Sequence, residues 1–178
     1  MTAPNNTSQA VNWYAARTCY GQEINVRDRL AAAGVEYFIP TETRRNSRGK
    51  NKEHPIIHCL IFIRTTKQEA CDLKSLDFLP VKYLFDYVRH TMLTVPDKQM
   101  DDFRRVLEAS VTEGGLVDQP LALGDRIRVT RGPLRGVEGH VLELSGKLYV
   151  VVGICGMAYA KARIPRAWLE RIPGSDPA

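Results

Sequence analysis

An α+β chain of two domains is predicted for these 178 residues: an antiparallel four-stranded sheet flanked by helices, a flexible linker, and a small C-terminal β-barrel. Three observations predict it. Strand-like and helix-like hydrophobic patterns alternate from Trp13 to Leu107; residues 110–120 lose all periodicity; and from Leu121 onward only short β-rich runs remain, separated by Gly-Pro and Ser-Gly turns.

Trp13-Tyr14-Ala15-Ala16-Arg17 reads as a short first strand, which Gly21 breaks. Val26, Leu30 and Ala33 then recur at helical spacing up to a stop at Gly34. Val35–Pro40 gives a second strand. Thr41 to His54 holds Arg44, Arg45, Arg48, Lys50 and Lys52 around Gly49 with no aliphatic side chain, so it is expected as an exposed loop or hairpin tip. Ile56–Ile63 is nearly continuous in apolar residues, as a strand buried on both faces would be. Thr66-x-x-Glu69 is a capping box, which opens a short helix running to about Ser75. Val81–Val88 reads as another strand, and Pro96-Asp97 opens a helix carrying Met100, Phe103 and Leu107 on one stripe.

The order β-α-β-β-α-β-α assigns residues 11–109 to the first domain, after a disordered leader at 1–10. Gly114, Gly115 and Pro120 mark a flexible linker over 110–120. Arg126–Thr130, Val137–Leu144, Leu148–Ile154, Ala158–Ile164 and Leu169–Ile172 supply the strands of a second domain at 121–173, followed by a tail at 174–178.

Composition excludes several classes. The longest apolar stretch is interrupted by His58 and is far shorter than the roughly 20 residues a membrane helix needs. The N-terminus has neither a basic flank nor an apolar run, so no signal peptide is read there and a cytoplasmic protein is expected. Cys19, Cys59, Cys71 and Cys155 are scattered without a Cys-x-x-Cys pair, and are expected as reduced, mostly buried thiols. His54 and His58 on one strand would lie roughly 13 Å apart, too far to share a tetrahedral ion. No activated nucleophile or phosphate-loop motif is present, so neither an enzyme nor a cofactor is expected. The net charge of +5 is uneven, because residues 121–172 carry nine basic against four acidic side chains while the first 120 carry sixteen against fifteen. A basic surplus of this kind suits an acidic partner.

Gly124-Asp125-Arg126-Ile127-Arg128-Val129-Thr130-Arg131-Gly132-Pro133-Leu134-Arg135-Gly136-Val137-Glu138-Gly139-His140-Val141 resembles a KOW motif, the signature of a small SH3-like barrel. Its glycines and prolines shape turns, whereas Arg131, Leu134 and Arg135 at the loop tip are the candidates for binding a partner. Trp13-Tyr14, the Gly21-led helix, Phe38-Ile39-Pro40-Thr41-Glu42, the basic hairpin, the hydrophobic strand and the Pro-led helix resemble, in order, the N-terminal domain of the NusG family. The resemblance spans about Trp13 to Ile172.

That resemblance implies a transcription elongation regulator with no chemical step, expected as a monomer. Its first domain would dock on the clamp helices of the largest RNA polymerase subunit, near the upstream fork and the non-template DNA strand. Its KOW domain would recruit a second partner such as Rho or a small-subunit ribosomal protein. The polymerase-binding positions carried over are Tyr14, Ile57, Leu60, Phe62 and Leu84; Arg17, Tyr20 and Arg27, with Arg44, Arg45, Arg48, Lys50 and Lys52 of the basic hairpin, are those for nucleic acid. Where the housekeeping protein has Phe-Pro-Gly-Tyr, this chain reads Ile57-His58-Cys59-Leu60. It is thereby closer to the UpxY-like antiterminators of surface-polysaccharide operons. The alternative is a KOW-type RNA-binding protein of the ribosome or of RNA maturation, using its basic C-terminal third on phosphates.

Overall fold

The computed structural model describes residues 10–45, 49–75, 79–113, 115–117 and 124–172. The chain divides into two compact units, Met1–Val95 and Pro96–Ala178.

In the first unit β1 (Asn12–Thr18) is the central strand, followed by α1 (Glu23–Ala32) and β2 (Glu36–Phe38). A separate two-stranded hairpin comprises β3 (Thr41–Arg45) and β4 (Asn51–Pro55), after which come β5 (Leu60–Thr65), α2 (Lys67–Ser75) and β6 (Val81–Tyr83). A second, short hairpin is made by β7 (Phe85–Asp86) and β8 (Thr91–Met92), and β9 (Thr94–Val95) closes the unit.

The sheet has the order β2-β5-β1-β6, with β9 also pairing β1. It is four strands wide but built from five segments. β6 pairs Ala16–Thr18 and β9 pairs Trp13 and Tyr14, so both lie end to end along the same edge of β1. The single strand expected over Val81–Val88 is interrupted at Leu84. Leu84 donates to Ala15 O (2.9 Å), Leu93 donates to Leu84 O (2.8 Å), and Ala15 donates to Leu93 O (3.1 Å), so the β7–β8 hairpin is pinched out of an otherwise continuous strand.

Parity along β1 and β5 separates two faces. Ala16 and Tyr14 share one with Ile61 and Ile63, where Val26, Leu30, Ile39, Leu79 and Val81 complete a buried core under α1. Burying side chains of this size stabilises by about 1.5–3 kcal/mol each. Trp13, Ala15, Leu60 and Phe62 point to the other face, and all four are at most 3% exposed.

The helix stop at Gly34 is realised, with φ +68 at that glycine and Val35 donating to Leu30 O at 3.0 Å. Ala33 is the capping residue and is exposed, not part of the apolar stripe. The capping box forms as read: Glu69 N donates to Thr66 Oγ1 (3.2 Å) and Thr66 N to Glu69 Oε2 (3.1 Å). Hydrogen bonds from Thr65 first, then from Thr66, hold the Glu69 carboxyl below its usual range. The strand expected from Ile56 begins only at Leu60, because Cys59 takes a left-handed conformation (φ 61) and Ile56 turns to donate to Pro40 O.

In the second unit α3 (Asp97–Glu113) precedes β10 (Gly115–Val117), β11 (Arg126–Val129), β12 (Glu138–Leu144), β13 (Lys147–Ile154) and β14 (Ala158–Arg163). A 3-10 turn at Arg166–Trp168 leads into β15 (Leu169–Arg171). The strands form one antiparallel sheet in the order β10-β14-β13-β12-β11-β15.

α3 packs on β13 and β14, so the boundary expected at 109 falls inside the second unit. Its apolar stripe of Met100, Phe103 and Val106 is buried, with Leu107 only partly so. Polar ties pin it to β13 and to the turn between β11 and β12: Gln99 Nε2 donates to Gly153 O (2.7 Å), Lys98 Nζ to Gly136 O (2.9 Å), and Arg105 Nη2 to Pro133 O (2.8 Å) and Arg135 O (2.9 Å). Residues 110–113 continue this helix, and Gly115–Val117 pairs with Tyr159–Lys161. The remainder of the expected linker, 114 and 118–120, lies outside the described residues, as do residues 1–9 of the expected leader, 121–123 and 173 at the ends of the expected second domain, and the tail at 174–178.

Candidate functional site

Leu60 and Phe62 face outward from the sheet on the side away from the core beneath α1, sharing that side with Trp13 and Ala15. Phe38 stacks with Phe62 at 6.3 Å between ring centroids and extends the apolar strip across β2. Val95, opposite Trp13, extends it across β9. Tyr14 departs from the expected group. It pairs with Ile63, so it lies on the helix side, where its ring meets Tyr83 edge-on at 6.2 Å. Its one-residue offset from Trp13 and Ala15 places it there, because alternate strand residues face opposite ways. Burial pushes the Tyr83 phenol up, with smaller contributions from Cys71 and Tyr14.

Leu60 and Phe62 are 3% and 0% exposed, so neither is open to a partner in this conformation. Ile57, in the turn before β5, and Leu84, at the hairpin pinch, are partly exposed.

That turn has an architecture that the sequence pattern hid. Glu23, the first residue of α1, is 1% exposed, and its carboxylate accepts the Cys59 amide at 2.9 Å. Thr18 N donates to Cys59 O at 3.2 Å, so strand, helix start and turn are tied together around the left-handed Cys59. Cys59 occupies the glycine position of the Phe-Pro-Gly-Tyr pattern, and that correspondence was the signal from which a positive φ could have been read. His58, exposed in the same turn, packs on Tyr20 with tilted rings, 4.9 Å apart at 43°. Tyr20 is 75% exposed, and with His58 it makes a ring pair open to solvent.

The nucleic-acid candidates divide. Arg17 is exposed at the end of β1 on the side of Leu60. Arg27 is engaged within the fold: it ion-pairs with Asp28 at 2.9 Å and with Glu53 of β4. The Asp28 hydrogen bond, with a smaller contribution from Glu53, raises its pKa further above the ordinary arginine value. Arg27 therefore ties α1 to one side of the basic hairpin.

The other side of that hairpin presents Arg44 directly opposite Lys52, and Glu42 opposite His54. Like charges facing each other across an antiparallel pair are destabilising, and the Arg44–Glu42 ion pair counters this on one side. An anion between the strands would relieve it. Arg45 donates to Gly49 O at 3.1 Å and shapes the tip, Lys50 is exposed, and Arg48 lies outside the described residues.

In the second unit Arg131 and Arg135 are exposed, but Leu134 is 6% exposed and belongs to the core. The turn that carries it folds back on itself, with Gly136 donating to Val129 O and Val137 to Leu134 O, which directs Leu134 inward. Glu138 is gripped by Arg126 (3.3 Å) and Arg128 (2.8 Å), and the Arg128 hydrogen bond foremost holds its carboxyl below the usual range. Two of the basic residues in the KOW-like segment are thus spent on an internal carboxylate.

Cys19 and Cys71 are exposed and Cys59 and Cys155 half-buried, which differs from the expectation that most of the thiols are buried. Burial pushes the Cys155 thiol up to about 11. Iodoacetamide at mildly alkaline pH is therefore expected to modify Cys19 and Cys71 well before Cys155, since the thiolate is the reactive form. Peptide mass mapping over time checks this; early labelling of Cys155 in folded protein would contradict it. Among the described residues no three His, Cys, Asp or Glu side chains converge as metal ligands, and no helix is long and apolar enough to cross a membrane.

No curated protein sequence matches this chain. Solved structures do. One, described as "Domain interaction in Thermotoga maritima NusG", is 18% identical, with 92% of this chain and 98% of that chain covered and a TM-score of 0.49. Another, a crystal structure of the MjSpt4:Spt5 complex in conformation A, is 11% identical, with 90% and 97% covered and a TM-score of 0.27. Both overlaps are loose, and neither carries the assignment. The family model described as transcription termination factor nusG matches residues 11–104, which takes in the whole of the sheet and its apolar face. Because that match spans more than half of the 178 residues, the chain belongs to the NusG family, whose members are non-enzymatic transcription factors.

Proposed function

We infer that this chain is an elongation regulator that binds RNA polymerase through the apolar face of its first-unit sheet and acts as an antiterminator. NusG family proteins bind RNA polymerase. The observation that supports this face is the contiguous strip of Trp13, Phe38, Leu60, Phe62 and Val95 on the side of the sheet away from the α1 core, with Leu84 at its edge. A helical hairpin of the clamp laid along such a strip buries apolar side chains of both partners. Leu60 and Phe62 are closed to solvent here, so docking goes with a rearrangement that uncovers them. Ile57 and Leu84 form the rim at which contact starts.

The non-template strand near the upstream fork would meet Arg17, the Tyr20–His58 ring pair, and the Arg44–Lys52 side of the basic hairpin. Tyr20 stacks on an unpaired base while the cations hold phosphates. Arg27 positions this surface and does not itself touch DNA. Arg131 and Arg135 remain for a second partner of the KOW-like segment, Rho or a small-subunit ribosomal protein. By bridging clamp and bubble edge the factor favours the closed, pause-resistant polymerase, since a ligand shifts an equilibrium only by binding one state better. The replacement of Phe-Pro-Gly-Tyr by Ile57-His58-Cys59-Leu60 supports a specialised role on a target operon, of the kind that surface or capsular polysaccharide synthesis employs.

The test is direct. Cognate core RNA polymerase should retain the full chain, and Leu84→Lys should weaken that binding roughly tenfold or more, an effect of about 1.4 kcal/mol, while leaving the thermal transition in place. In a transcription assay with candidate operon leaders, added protein should raise read-through of terminators. Wild-type protein that fails to bind polymerase, and instead co-elutes with ribosomal particles or structured RNA, would transfer the assignment to an RNA-binding protein of the ribosome.

A further inference from the structure

The β7–β8 hairpin has no part in either surface described above, yet it carries three of the most exposed large apolar side chains of the first unit. Phe85 is 45%, Tyr87 79% and Val88 91% exposed. Scattered single apolar residues on a surface need no explanation, but three within four positions at one projecting tip do.

The tip is preformed. Phe85 pairs with Met92 and Asp86 with Thr91, while the Leu84–Leu93 bond closes the base of the hairpin and the bonds of both residues to Ala15 fasten it to β1. Asp86 Oδ1 accepts the amides of Val88 (2.9 Å) and Arg89 (3.0 Å), which fixes the turn. The Phe85 and Tyr87 rings meet edge-to-face at 5.3 Å and 69°. An ordered apolar tip gives up little conformational freedom on binding.

The charge at the tip selects the partner. Arg89 is 75% exposed and His90 is also exposed, whereas the one carboxylate, Asp86, is 19% exposed, accepts the turn amides through Oδ1 and lies 3.8 Å from Arg89 Nε through Oδ2, a long contact that leaves most of the arginine side chain in solvent. The tip therefore presents apolar surface edged by cation, with no outward acid. Its complement is an apolar socket rimmed by carboxylates. A nucleic acid fits less well: Val88 gains nothing from a base or a phosphate, and rings crossed at 69° offer no parallel platform for successive bases.

We propose that the Phe85–Met92 hairpin is a second polymerase anchor, a peg whose Tyr87 and Val88 enter a carboxylate-rimmed apolar socket outside the site of the sheet face. This rests on the polymerase-binding reading. The hairpin springs from Leu84, at the edge of the proposed docking face, so a partner seated on that face has the peg at its border. Two contacts joined by a rigid base lower the dissociation rate more than either alone.

The experiment uses the full chain and cognate core RNA polymerase. A photoreactive benzoylphenylalanine at position 87 should crosslink to a polymerase subunit. The Tyr87→Ser, Val88→Ser double variant should bind roughly tenfold more weakly with an unchanged melting curve, because both side chains are exposed and support no core. Arg89→Glu should weaken binding further at low salt than at high salt. Wild-type affinity in the double variant, alongside weakened binding by Leu84→Lys, overturns the peg and leaves the sheet-face reading standing. Crosslinking to a single-stranded DNA oligonucleotide in place of the polymerase overturns it in favour of a nucleic-acid contact. Absence of any polymerase binding by the wild type removes both readings together.

Discussion

Gly139→Ala is expected to unfold the second unit. A Cβ built at Gly139 would lie 2.4 Å from Val151 O and 3.1 Å from a Val150 methyl. The nearest of these is backbone of the neighbouring strand, with no rotamer to yield. Gly139 stands between Glu138 and His140 on β12, and His140 pairs with Val151 on β13, so relief requires parting the two longest strands of the sheet. The cost is about 3 kcal/mol, at the upper end of overpacking effects and a large share of what a small unit has to spare. α3 would lose its seat as well, because it packs on β13 and β14 and Gln99 bonds to Gly153 O of β13. Thermal or urea unfolding followed at Trp168 reads the second unit; an unchanged midpoint would show that β12 and β13 separate more easily than their pairing implies. Gly153→Ala is a milder control, since its Cβ would meet the Tyr159 ring at 2.8 Å, a side chain that can swing aside.

Glu23→Ala is expected to have the second largest effect, on the first unit. The Glu23 carboxylate is almost wholly buried and is the acceptor for the Cys59 amide. Removing it leaves that donor without its acceptor beside a left-handed residue, at a cost of about 1–3 kcal/mol for the hydrogen bond and more for the space vacated. The consequence reaches the function, since Cys59 lies between Ile57 on the proposed rim and Leu60 on the apolar face. Glu23→Ala should therefore lower both the melting temperature and polymerase affinity. Cys59→Gly separates the two causes. A non-glycine residue at positive φ costs about 1–2 kcal/mol, and glycine returns part of that against its greater freedom in the unfolded chain. In the Glu23→Ala background, Cys59→Gly should recover about 0.5–1 kcal/mol of stability. No recovery would mean that the hydrogen bond, and not the strain at Cys59, is what Glu23 supplies.

Residues whose neighbours decide their conformation were legible before the fold was known. Thr66 and Glu69 cap α2 because their reciprocal bonds close within four residues. Gly34 ends α1, and the five strand segments of the C-terminal third were read to within about two residues. What failed to show depended on partners distant in sequence. Val81–Val88 has a continuous strand composition, yet the Ala15–Leu84–Leu93 hydrogen bonds divide it and expel a hairpin. Tyr14 and Leu60 both look fit for an apolar face, and only the β1–β5 register assigns them to opposite sides. Arg27 reads as a free cation until Glu53 is brought to it from 26 positions away. Leu134 reads as a loop tip until its turn closes over the core.

By itself, the amino-acid order determined an α+β chain with an N-terminal pattern of NusG type, and it offered a resemblance to a KOW motif over residues 124–141. Periodicity, caps and turn residues act over one or two helical turns or one strand pair, so they are written locally. The tertiary structure alone decided that α3 rests on the second unit's sheet, that Leu60 and Phe62 are covered, and that Phe85, Tyr87 and Val88 stand out from a pinched strand. An apolar stripe states that a face must be buried and leaves open against what. That choice is made by the sum of long-range contacts, which no short window of sequence contains.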